Sequence, residues 1–130
     1  MPIYSYGSFL LDRRDATSFS QKFAFDFIFK DSIQRSLDPR NDGLIPLRSQ
    51  SFGRHLANLT VPHSYFGMDQ NLMPYFKLNA VDLYKMHWDC LETGQSALRV
   101  GFINSGYFKI VEESSDEFSG FCDGRKFAIN

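Results

Sequence analysis

Four phenylalanines alternate strictly through Phe23-Ala24-Phe25-Asp26-Phe27-Ile28-Phe29, bracketed by Lys22 and Lys30. No other stretch constrains the fold as much, because two periodicities compete for it. With period two, the Phe23, Phe25, Phe27 and Phe29 rings make one greasy face of a strand, with Ala24, Asp26 and Ile28 on the other. With period 3.6, Lys22, Asp26, Lys30 and Gln34 form a polar stripe at four-residue spacing, leaving Phe19, Phe23, Phe27 and Ile28 elsewhere on the cylinder. Phenylalanine is a mediocre helix former and a good strand former. The residues therefore predict a strand through 29 or 30, then a short turn or helix to Leu37. With 14 Phe, 6 Tyr and 1 Trp in 130 residues, and roughly 150–250 Å² hidden per buried ring, one domain over 1–130 can build a substantial core.

Around this segment the chain reads mostly as strand. Ile3 to Leu11, Leu56 to Val61, Met73 to Leu78 and the alternating Leu98, Val100, Phe102 suit strands. Asn104-Ser105-Gly106 turns the chain into Tyr107 to Val111. A last pair, Phe118–Cys122 and Arg125–Ile129, flanks Asp123-Gly124, a two-residue hairpin cue. Residues 38–78 hold four of the five prolines and suit loops that form a surface. One helix is clear at about 79–93. Asn79 caps it with Asp82 three residues on, Val81, Tyr84, Trp88 and Leu91 recur at spacings of three and four, and Gly94 ends it. This spacing predicts that Trp88 faces the core. The expected whole is an α+β domain, a mostly antiparallel sheet of five to seven strands with that one helix packed on it.

A formal net charge of −1 offers no global field for nucleic acid or anionic membrane. The longest apolar runs are too short to span a bilayer. Met1 to Gly7 lacks the basic and apolar regions of a secretory signal, so a cytoplasmic location is expected. Cys90 and Cys122 make no disulfide framework; two buried free thiols are expected, with a single bridge as the alternative in an oxidising compartment.

Chemistry-bearing residues are few. His87 and Cys90 at i, i+3 could face one metal, but a structural zinc site wants four ligands, so neither metal nor cofactor is expected. His55 and His63, with Arg40, Arg48 and Arg54 nearby, are the pair for general acid–base hydrolysis of a phosphodiester. Removal of Met1 would leave Pro2 as an N-terminal secondary amine. Together with Gln34-Arg35-Ser36-Leu37-Asp38 closing a possible helix, it weakly resembles the first βα unit of the tautomerase superfamily. That resemblance implies Pro2 as a base and requires the helical reading of the Phe-rich segment; the second β-α-β half is not apparent. No phosphate loop, nucleophile elbow or zinc-protease motif is present.

Two features suit recognition instead. Glu112, Glu113, Asp116 and Glu117 form the one dense charge cluster, a contact for a basic partner. Tyr65 and Phe66 sit in a loop with more rings than a loop requires. The reading is a non-catalytic protein-binding module of inhibitor, immunity or adaptor type. A small hydrolase or tautomerase is the alternative, and a small-ligand or sugar-binding β domain with a pocket lined by Tyr65, Phe66 or Trp88 is the third. The expected partner is another protein, not a membrane or nucleic acid, and a sheet edge leaves a homodimer open.

Overall fold

A computed structural model describes residues 3–16, 18–67, 75–111, 118, 121 and 122. Among them the class is α+β, but the sheet has three strands and is mixed, and there are three helices. The expected five to seven antiparallel strands with one helix are therefore corrected. Strand β1 (Tyr4–Ser8) pairs in parallel with β2 (Arg54–Leu59), and β2 pairs antiparallel with β3 (Phe108–Ile110). The central strand is the most enclosed, with Leu56, Ala57 and Leu59 fully buried.

The Phe-rich segment is a helix, α1 (Phe19–Gln34). Ser18 opens it, its hydroxyl accepting from Gln21 N at 3.2 Å. Leu37 N returns to Ser32 O at 2.8 Å around Ser36, whose φ of 56° closes the last turn in the left-handed region. Alternation of rings does not exclude a helix; it only spreads them around the axis. Phe25 and Ile28 turn inward and are partly buried, while Phe19, Phe23 and Phe27 stand in solvent.

Helix α2 (Ala80–Thr93) matches its expected span. Asn79 Oδ1 accepts from Asp82 N at 3.1 Å, Asp82 Oδ2 accepts from Asn79 N at 3.0 Å, and Gly94 caps the end at φ 77°. Its buried face is different from the one expected. Ala80, Leu83, Met86 and Cys90 point inward, and Trp88 is 60% exposed. The compact row packs into the core cluster, while the bulkier Tyr84 and Trp88 stay at the surface.

The third helix, α3 (Leu98–Asn104), replaces an expected strand. Leu98 and Phe102 are one turn apart, so one face reaches the core, and Phe102 is fully buried. It joins Leu56, Leu59, Val61, Leu83, Met86, Phe108 and Phe118 in one apolar cluster. Phe118, Phe121 and Cys122 are helical where a strand was expected, and the Asp123-Gly124 hairpin lies outside the described residues. Cys90 and Cys122 form a disulfide, not the two free thiols expected. Among the described residues no helix is long and apolar enough to cross a membrane.

One glycine is fixed by packing. Gly7 in β1 is buried where the His55–Asn58 pair crosses the strand. A Cβ there would collide with Asn58 Oδ1, lie 2.7 Å from Leu47 Cδ1 and 3.2 Å from His55 Cε1. Gly7→Ala is expected to cost about 1–3 kcal/mol by overpacking, read as a lower urea midpoint at unchanged slope.

Candidate functional site

Parallel pairing of β1 and β2 brings together the segments leaving their carboxyl ends, the usual place for sites beside parallel strands. Ser8 ends β1, His63 follows β2, and Asp42 comes from the crossover between them. Asp42 is 1% exposed and saturated with donors. Oδ1 accepts from Leu44 N at 3.0 Å and Ile45 N at 2.8 Å, an Asx-type turn. Oδ2 accepts from Ser8 Oγ at 2.8 Å and His63 Nδ1 at 3.0 Å, and His63 N reaches the Asp42 carbonyl at 3.1 Å. Gln50 completes the cluster, accepting from Ser8 N at 2.7 Å and donating to Ser8 O at 2.9 Å.

A buried carboxylate on Nδ1 fixes the imidazole tautomer, as in His-based acid–base sites. The His63 side chain is 42% exposed. Ser8, however, gives its proton to the carboxylate oxygen that His63 also uses. Its hydroxyl is thus paired to the orienting acid and not to the base, so the three residues make no nucleophile–base pair. They lock the crossover to both strands.

His55 is engaged separately. Its Nδ1 lies 2.8 Å from Ser5 Oγ and its Nε2 lies 2.6 Å from Asn58 Oδ1. Both ring nitrogens are occupied, and His55 shares no partner with His63, so the two-histidine arrangement for phosphodiester cleavage is not assembled. His87 and Cys90 are likewise apart in role: His87 Nδ1 is 2.8 Å from Tyr6 Oη, and Cys90 is in the disulfide. Among the described residues no group of three or more His, Cys, Asp or Glu could hold a metal ion.

Burial of His87 among Tyr4, Tyr6 and Phe121 lowers its pKa below the ordinary imidazole value. The unfolded chain then binds the proton more tightly than the native one, so stability rises with pH across the gap. Its contribution is complete above about pH 6.5 and is lost as pH falls through that value toward the depressed one. Urea midpoints at about pH 7.5 and about pH 5.5 should differ in the native chain, and His87→Gln should shrink the difference.

Helix α1 carries the remaining candidate surface. Phe19, Phe23 and Phe27 are 72%, 60% and 72% exposed and follow one another by single turns. Phe19 and Phe23 meet edge to face at 4.8 Å, and Ile33, also exposed, stands on a different flank of the helix. Asp26 is held by Arg13 at 3.0 Å and Asp31 by Arg35 at 3.5 Å. No family model, curated protein or solved structure matches the chain.

Of the residues picked from the sequence, Tyr65 is 2% exposed, its hydroxyl donating to Leu78 O at 2.6 Å. It is a core ring, and burial pushes its hydroxyl pKa up. Phe66 is partly buried, and its carbonyl accepts from Tyr84 at 2.9 Å. Glu112, Glu113, Asp116, Glu117 and Pro2 lie outside the described residues. A cleft of about 990 Å³ does exist, but its rings are Tyr75, Phe76 and Tyr107, not Tyr65, Phe66 or Trp88. The helix that the tautomerase resemblance requires is present between parallel strands. After β2, however, the described residues form α2, α3 and the short β3 and show no second β-α-β half.

The α1 face had a legible signal, the four-residue polar stripe, which the strand reading set aside. Ser8 and Asp42 had none: nothing local announces that residues 34 and 21 positions apart meet at one carboxylate.

Proposed function

We propose that the chain is a non-catalytic protein-binding module that engages its partner through the benzyl face of α1. The exposed Phe19, Phe23 and Phe27 strip carries this reading. Contiguous exposed aromatic surface on a small domain marks an interaction site more than isolated apolar residues do. A 16-residue helix with no apolar side chain fully buried also lacks the packing from which helices usually draw their stability. A partner covering the strip would supply it. The acidic run Glu112, Glu113, Asp116 and Glu117 is a second contact within the same proposal, suited to a basic patch on that partner. The Cys90–Cys122 bridge weighs against the cytoplasmic location expected and favours an oxidising compartment.

The test places a benzophenone side chain at position 23 or, as control, at the equally exposed Phe52 off the helix. Irradiation in the native source should give discrete protein adducts from position 23 only. Absence of any adduct, or the same adducts from position 52, would remove α1 as the binding face.

A further inference from the structure

We infer that the partner of the α1 face is a second copy of this chain, docked antiparallel across a two-fold axis near Asp26 and Phe27. The inference rests on the binding-module reading above and names its occupant.

Area comes first. Three rings exposed by 60–72%, each worth roughly 150–250 Å², offer about 300–500 Å². The exposed Lys30 and Gln34 share this side of the helix, whereas Phe29 and Ile33 stand on a different flank and add little to it. Two such faces reach about 600–1,000 Å², the low end of interface sizes, so association is weak and concentration-dependent.

Charge decides the occupant and its orientation. Helix α1 carries Lys22 and Lys30 against Asp26 and Asp31, and both aspartates are already paired within the chain. The face has no single-sign field to repel its own copy. A parallel two-fold arrangement would set Lys30 beside Lys30 of the second copy and align the helix dipoles unfavourably. An antiparallel one, centred between Asp26 and Phe27, sets Lys30 against Phe23 of the second copy, twice by symmetry. An ammonium over a benzyl ring is attractive. It also brings the two Phe27 side chains to the axis and Phe19 against Gln34 of the second copy. A two-fold interface of this kind is self-complementary by construction.

Three measurements on the full chain test it. Light scattering should rise from the 15.0 kDa chain mass toward twice that value as concentration increases. The double variant Phe23→Asp/Phe27→Asp should remain at 15.0 kDa, with the circular dichroism spectrum and melting temperature that the native chain shows at dilutions where it is monomeric. Phe27→Cys, oxidised with glutathione disulfide, should link two chains at least roughly tenfold faster than Phe52→Cys, because the axis raises the effective thiol concentration. The native cysteines are tied to each other and do not compete. Lys30→Glu should lose the dimer, while Lys30→Arg should keep it.

A mass that stays at one chain at every concentration overturns the second copy, as does a dimer that survives the double variant. Photo-adducts from position 23 to a different protein, with the purified chain monomeric, would overturn this inference and leave the binding-face reading standing. No adduct at all would bring down both.

Discussion

Replacing Asp42 with Ala should cost about 3–5 kcal/mol of folding stability, the range for orphaning a buried charged or hydrogen-bonded partner. Four donors lose their acceptor at once: Ser8 Oγ, His63 Nδ1 and the amides of Leu44 and Ile45. Ser8 is itself buried and has only the 3.4 Å Gln50 oxygen to turn to. His63 can reach water, so its share of the loss is small. The damage falls on the crossover, which the carboxylate ties to the ends of both β1 and the segment after β2. Asp42→Asn keeps one oxygen for the Leu44 and Ile45 amides and should cost less, about 1–3 kcal/mol. Urea unfolding of both variants checks the order. If Ala and Asn are equally mild, the carboxylate does not organise this corner.

Opening the Cys90–Cys122 bridge should have the next largest effect. The cross-link spans 32 residues, and restricting the unfolded chain over that length is worth about 3–4 kcal/mol. For a domain of this size that corresponds to a melting temperature lower by roughly 10–20 °C. Differential scanning calorimetry with and without dithiothreitol, beside Cys90→Ser/Cys122→Ser, measures it. Two titratable thiols in the untreated protein, or a melting temperature indifferent to reductant, would contradict the bridge. The same experiment bears on compartment, because a chain that needs this bond works poorly where glutathione keeps thiols reduced.

What could be read in advance was local. Asn79, Asp82 and Gly94 announce α2 because capping involves neighbours within one turn, and no distant contact is needed to satisfy them. The Phe23 to Phe29 alternation misleads for a physical reason. Period-two patterning identifies a strand only when one face is buried, and α1 leaves Phe19, Phe23, Phe27 and Phe29 exposed. Trp88 misleads similarly: its size and spacing suggest burial, while Leu83, Met86 and Cys90 form the row that enters the core. Leu98 and Phe102 fit either period over so short a run. The Ser8–Asp42–His63 convergence was beyond reach, since it exists only through the parallel crossover.

The side-by-side β1 and β2 strands also set an order of events at the ribosome. Tyr4–Ser8 is made first, yet its neighbour Arg54–Leu59 follows some 46 residues later, roughly 2–10 s at ordinary synthesis rates. Closing that gap then costs about 3–4 kcal/mol of chain entropy before any ladder bond repays it. During the wait a nascent chain holds an unmatched ribbon and a bare benzyl helix, the two surfaces from which aggregates most readily grow. Translation pausing while Arg54 to Leu59 is still to emerge from the ribosome should therefore harm yield more than pausing once it has emerged.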